Sequence, residues 1–120
     1  MPHLTLETSS NVKLDEQSFF KEIAEQLVAT GHASQMGIKC RVVSSDKYFI
    51  IDGDAKYQMV NLLFRLREGR PAEVLSQFSE IGMNLMKEYF STEIEEKTII
   101  LSTEIKELIK GQDLTFNSVR

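Results

Sequence analysis

Residues 1–8 read Met-Pro-His-Leu-Thr-Leu-Glu-Thr. From Pro2 to Leu6 every second residue is apolar, and this alternation is typical of a β-strand with one buried face. Pro2, Leu4 and Leu6 therefore lie on one face of the strand, and His3 and Thr5 lie on the other. Turn-forming residues at 9–11 then end the strand. A short strand followed at once by a turn and a helical pattern predicts that the chain opens with a β-α-β unit.

The rest of the first half supplies that helix and a second strand. Asp15 is a good N-cap, and apolar residues then recur at the spacing of an amphipathic helix over about residues 16–30. Gly31 is expected to end the helix. After a loop, residues 38–44 are predicted to form the second strand and residues 48–51 a short further piece of strand. A turn is predicted at Asp52-Gly53-Asp54.

The second half repeats this order. The longest predicted strand covers about residues 57–67, and its apolar face consists of Val60, Leu62, Phe64 and Leu66. Pro71 suits the first turn of a helix over about residues 71–92. A last strand is predicted at about residues 98–104, a short turn or helix at 105–111, and a polar tail at 113–120.

Two successive β-α-β units predict a four-stranded sheet with both helices on one face, which is a two-layer α+β sandwich. Strands joined by a helical crossover should be parallel within each unit. We expect a single domain over residues 1–120, with repeat halves at about 1–54 and 55–120. No helix remains for the second sheet face, where Leu63 and Met59 lie, so we expect an oligomer that covers it.

Composition narrows the class of protein. The chain has 120 residues, 42% of them hydrophobic and 27% charged, as expected for a soluble globular protein. Its net charge is −4 and it has no basic block, which argues against nucleic acid or a membrane as a partner. No signal peptide and no membrane span is recognised. With Cys40 as its single cysteine, the chain can form no internal disulfide, and we expect it in the cytoplasm.

Pro2 is the first candidate for chemistry. Initiator methionine is usually trimmed before a small residue such as proline, and trimming would leave Pro2 with a secondary amine. A free α-amino group titrates at about 7.7–8.0, close enough to neutral to act as a base. If Met1 is retained, the nitrogen of Pro2 is an ordinary amide without that capacity. In that case Pro2 would be only a structural residue at the edge of the sheet.

The chain resembles the 5-carboxymethyl-2-hydroxymuconate isomerases of the tautomerase superfamily. The similarity spans nearly the whole chain in collinear order, although no single piece is very specific. The matching pieces are Met1-Pro2-His3 leading to Glu7, Ser9 and Asn11; Ala29-Thr30-Gly31; Gly37-Ile38-Lys39-Cys40-Arg41-Val42; Gly69-Arg70; residues 102–105; and Leu114-Thr115-Phe116.

This resemblance implies a trimer of duplicated β-α-β units and a cofactor-independent isomerase. The implied reaction moves a proton between oxygen and carbon of a small, anionic dienol carboxylate from aromatic-compound breakdown, with Pro2 as the base. Arg70 matches the family's arginine at the strand-to-helix junction, where it would bind a carboxylate. Lys39 lies where the family has an arginine, so the charge is kept but the planar fork is lost. Arg41 points to the same sheet face and could share the task of polarising the substrate oxygen.

The remaining polar residues carry less weight. We interpret His3 as structural and Cys40 as a buried, inert thiol. No Cys/His metal spacing or glycine-rich phosphate loop is found, so neither a metal nor a cofactor is expected. Two alternatives stay open: a non-catalytic oligomeric module that binds a small ligand, and a different activity within the tautomerase superfamily.

Overall fold

A computed structural model describes residues 2–120. Its elements, in chain order, are β1 (His3–Ser9), α1 (Glu16–Ala29), a 3₁₀ turn (Gln35–Gly37), β2 (Lys39–Ser45), β3 (Gln58–Arg67), α2 (Ala72–Tyr89), α3 (Ser91–Glu95) and β4 (Ile99–Leu108). The two long helices begin where the sequence predicts, and α1 is capped by the Asp15 carboxylate, which accepts a hydrogen bond from the Ser18 backbone N–H at 3.2 Å.

The four strands form one sheet in the order β2-β1-β3-β4. Strands β1 and β2 are parallel, as are β3 and β4, while β1 and β3 pair antiparallel at the centre. The predicted parallel pairing within each β-α-β unit is therefore confirmed, because α1 and α2 serve as the crossovers.

The core lies between the sheet and the helices. The predicted apolar face of β3 is buried, with Val60 1% exposed and Leu62, Phe64 and Leu66 fully buried. They pack with Leu4 and Leu6 of β1 and with apolar side chains of both long helices, namely Phe19, Ile23, Leu27, Val74, Phe78, Leu85 and Met86. The two-layer α+β class is confirmed.

Helix α2 approaches the sheet closely at Gly82. A Cβ atom built on this glycine would lie 2.7 Å from a methyl carbon of Leu62 and 3.1 Å from the ring of Phe64. Glycine at this position therefore sets the distance between the helix and strand β3.

One predicted strand is absent from the described residues, and two predicted element boundaries are wrong. Residues 48–51 form no strand, and Phe49 and Ile51 are 75% and 64% exposed. Strand β4 continues to Leu108 because residues 105–108 pair with Phe64–Arg67 of β3, where a turn or helix was expected. The helix expected to reach residue 92 ends at Tyr89, since Phe90 leaves helical geometry before the short α3 begins.

Within residues 2–120, no helix is long and apolar enough to cross a membrane.

Candidate active site

One end of the sheet gathers the candidate residues, and we call it the Pro2 end. It combines the starts of β1 and β2 with the finish of β3, because β1 and β3 run antiparallel. Pro2 is buried there, and its carbonyl oxygen accepts a hydrogen bond from the Lys39 backbone N–H at 3.0 Å. His3, the next residue, lies opposite Lys39 on one side and opposite Arg65 on the other.

Lys39 and Arg41 lie on the sheet face that the helices leave uncovered, which we call the open face. The Lys39 ammonium donates to the Gly37 carbonyl at 2.7 Å. The Arg41 guanidinium nitrogen Nη2 lies 3.0 Å from Nδ1 of His3. Arginine has no acceptor, so Nδ1 of His3 accepts this hydrogen bond and the ring hydrogen sits on Nε2.

His3 therefore lies among the cationic side chains and contacts one of them, although the sequence suggested only a structural role. Burial lowers the pKa of His3, and the positive charges of Lys39, Arg41 and Arg65 lower it further. The imidazole is neutral at pH 7. The register between strands, which one sequence does not reveal, is what brings His3 to these cations.

Arg70 approaches the Pro2 end from the loop between β3 and α2. Its Nε donates to the His32 carbonyl at 3.0 Å and its Nη1 to the Arg67 carbonyl at 3.2 Å. The guanidinium carbon lies 5.8 Å from the ring centre of Phe78. Burial lowers the pKa of Arg70, and Glu107 partly offsets that effect. These contacts hold the guanidinium in one orientation, and no residue among 2–120 accepts a hydrogen bond from the other three of its five N–H groups.

The C-terminal segment after β4 also reaches the Pro2 end, a feature that the polar character of this tail did not signal. Arg67 and Asp113 form an ion pair at 2.9 Å, and the Asn117 side-chain amide donates to the Met36 carbonyl at 2.8 Å. A cavity of about 280 Å³ lies between residues 115–119 of this segment and the residues Met36, Ile38 and Lys39.

Cys40 takes no part in this arrangement. It is half-buried on the helix-covered side of β2, next to Lys39 in sequence but on the opposite face. Burial raises the pKa of its thiol to about 11, so the reactive thiolate is scarce at neutral pH.

Comparison with known proteins shows to which family the chain belongs. The sequence pattern of the 5-carboxymethyl-2-hydroxymuconate isomerase family matches residues 2–120. The chain belongs to this family. A 5-carboxymethyl-2-hydroxymuconate Delta-isomerase of Escherichia coli is 33% identical over 121 residues, which covers 99% of this chain and 96% of the relative. As a member of the 5-carboxymethyl-2-hydroxymuconate isomerase family, within the tautomerase superfamily, the protein is an isomerase.

Solved structures share the fold of this chain. A 5-carboxymethyl-2-hydroxymuconate isomerase from Deinococcus radiodurans R1 superimposes with a TM-score of 0.91 at 23% identity, covering 98% of this chain and 90% of that one. A fused 4-OT protein, a symmetric trimer, superimposes with a TM-score of 0.72 at 13% identity, covering 95% and 93% of the two chains.

Proposed function

We propose that this isomerase acts on a small unsaturated 2-hydroxy carboxylate, such as 5-carboxymethyl-2-hydroxymuconate, and uses the amine of Pro2 as its general base. The observation that carries this proposal is the burial of Pro2 at a sheet end where Lys39, Arg41 and Arg70 also lie. Burial and nearby positive charge both favour the neutral form of an amine, which is the form that accepts a proton.

The proposed reaction is a proton transfer in two steps. The amine of Pro2 removes the proton of the 2-hydroxyl group, the oxygen becomes a carbonyl, and the electrons of the diene move toward its far carbon. The ammonium of Pro2 then returns the same proton to that carbon, forming a C–H bond. No atom is gained or lost, and no cofactor is needed.

Positive side chains have two tasks in this scheme. Arg70 binds a substrate carboxylate through the N–H groups that its backbone contacts leave available. Lys39 and Arg41 stabilise the negative charge that develops on the oxygen end. General base catalysis alone supplies about 10²- to 10⁴-fold, so these charges contribute much of the remaining acceleration.

The test compares turnover with the state of the amino terminus. Intact mass spectrometry identifies whether Met1 is absent, and turnover of 5-carboxymethyl-2-hydroxymuconate is followed on that same sample. We expect Pro2→Ala to lower kcat by about 10²-fold or more, because the secondary amine is lost. Pro71→Ala, at the chain's other proline, is the matched control and should keep kcat within about twofold.

Full turnover by Pro2→Ala, or by protein that retains Met1, would assign the base to another group. A trimmed protein that binds enol acids without converting any of them would favour the ligand-binding module instead. Conversion of a different enol acid would keep Pro2 as the base and change the substrate.

We also propose that the protein is a homotrimer that acts in the cytoplasm. The open face and its margin expose apolar side chains, with Met59 36%, Ile100 49% and Phe49 75% exposed, and a second copy would remove them from water. The trimeric state of the fused 4-OT protein, which shares this fold, supports the same assembly. Light scattering after gel filtration should give three times the chain mass of 13.7 kDa. A species of 13.7 kDa would refute the assembly.

A further inference from the structure

The C-terminal segment after β4 exposes large apolar side chains instead of burying them. Leu114 is 91% exposed and Phe116 is 92% exposed. Polar contacts nevertheless hold the segment against the Pro2 end, namely the ion pair of Asp113 and the hydrogen bond donated by the Asn117 amide. The segment therefore presents its apolar side chains to water from a fixed position. Exposed apolar surface of this kind marks an interaction site.

A largely apolar cavity of about 520 Å³ lies at the opposite end of the open face, and we call it the far-end cavity. Its walls include Met59 and Ile100, near the starts of β3 and β4, and Phe49 and Ile51 from the loop between β2 and β3. Ile51 has a φ of 57°, a conformation that a β-branched residue rarely adopts. Backbone strain of this kind is concentrated at functional sites, so the loop is also a candidate interaction surface.

These two apolar surfaces cannot meet within one chain. Strand β3 has ten residues and separates the two ends of the sheet by about 30 Å. A second copy can bring them together, because every chain carries both the segment and the cavity. Such head-to-tail pairing joins different surfaces of the two copies and closes into a ring when the rotation between copies fits. A ring of three copies is the assembly proposed above.

We propose that the C-terminal segment of one copy docks in the far-end cavity of the next copy, with Phe116 and Leu114 as its apolar anchors. This inference rests on the proposed homotrimer and identifies the surfaces that join its copies. Phe116 also lines the cavity beside Lys39 in its own chain. Docking therefore brings the loop with Phe49 and Ile51 of the next copy to the outer side of that cavity, where it adds an apolar wall to the Pro2 end.

Disulfide cross-linking of the full-length protein tests this contact directly. The double variant Phe116→Cys with Ile100→Cys places one thiol in the segment and one in the cavity. These positions lie at opposite ends of the sheet, so a disulfide between them can form only between copies. After mild oxidation, we expect linked pairs and linked threes on a non-reducing gel, at about tenfold or more the yield of the control.

The control is Phe116→Cys with Lys21→Cys, because Lys21 is exposed on α1 in the helix layer. Both double variants keep Cys40, so its contribution is the same in each. Phe116→Cys with Ile51→Cys repeats the test at the cavity if Ile100→Cys prevents folding.

Light scattering supplies a second measurement without new thiols. Phe116→Ser should make the trimer dissociate at a protein concentration at least about tenfold higher than in wild type, because one buried aromatic anchor can carry that much of the binding. Lys21→Ser should leave this concentration unchanged.

The outcomes separate this inference from the proposals on which it builds. Cross-linking no greater than in the control, in a protein that light scattering shows to be a trimer, would overturn the inference and leave the assembly standing. A monomeric wild type would overturn the assembly and the inference together. Strong cross-linking in a protein that converts no enol acid would support the inference and overturn the proposed catalysis alone.

Discussion

Arg70→Lys separates the charge of Arg70 from its geometry. Arginine has five N–H donors, and two of them already bind the carbonyls of His32 and Arg67. In the proposed function, the three that remain bind a substrate carboxylate while the other two hold the guanidinium in place. A lysine ammonium has three donors at one point, so it cannot bind both carbonyls and a carboxylate fork together.

The expected magnitude follows from these contacts. Loss of one charge-assisted hydrogen bond to the substrate costs about 1.5–3 kcal/mol, which lowers kcat/KM by about 10- to 150-fold. Loss of one backbone hydrogen bond lowers the free energy of unfolding by about 0.5–1.5 kcal/mol. Steady-state assays on 5-carboxymethyl-2-hydroxymuconate and urea unfolding measure the two effects.

Arg120→Lys, at an exposed position near the end of the chain, is the matched control and should change neither quantity. If Arg70→Lys keeps kcat/KM within about threefold of wild type, Arg70 acts only as a point charge or only as a structural clamp. A large fall in stability without a fall in kcat/KM would identify the clamp.

Three further outcomes are expected. Gly82→Ala should lower the free energy of unfolding in urea, because overpacking against Leu62 costs about 1–3 kcal/mol and outweighs the helix propensity gain of about 1 kcal/mol; increased stability would contradict the close approach. Iodoacetamide should label Cys40 far more slowly in native than in urea-unfolded protein at pH 8, since its pKa is raised to about 11; equal rates would show an accessible thiolate. The pKa of His3 is lowered from 6.5, so its protonation opposes folding. The free energy of unfolding should therefore fall as the pH drops below about 6.5, and it should fall less steeply in His3→Gln than in the wild type. An identical pH dependence in the two proteins would refute this.

Local patterns were enough to predict the layered fold. The alternation at residues 60–66 and the four-residue spacing in α1 each report which side of an element is buried, and that information is contained in neighbouring residues. Strand β4 beyond residue 104 was missed because residues 105–108, Ile-Lys-Glu-Leu, do not alternate between apolar and polar and so give no local strand signal. Its pairing with the buried strand β3 decides its conformation.

Residues 48–51 show the opposite failure. Their composition favours a strand, but no partner strand is available to them within the described chain. Local propensity without pairing does not produce a strand.

The candidate site could be predicted only in part. Lys39 and Arg70 were identified by resemblance, and Arg41 was added because it lies two residues after Lys39 on the same strand face. The structure brings all three to the end of the sheet where Pro2 is buried. The position of His3 beside Arg41 and Arg65 was not predicted, because it results from cross-strand register. Register depends on how two distant segments align, and a single sequence contains no direct record of that alignment.

The antiparallel centre of the sheet has a consequence for engineering. It relates the two β-α-β units by an approximate two-fold axis, so the start of β3 at Gln58 is equivalent to the start of β1 but lies at the other end of the sheet. There the chain runs unbroken through Tyr57, and the cavity beside it is largely apolar. The scaffold therefore has two equivalent strand starts, and the proposed function uses one of them. A protein made as two chains, cut in the exposed loop at residues 52–56, would have a second amino terminus just before β3. That terminus would occupy the position equivalent to Pro2 at the opposite end of the sheet.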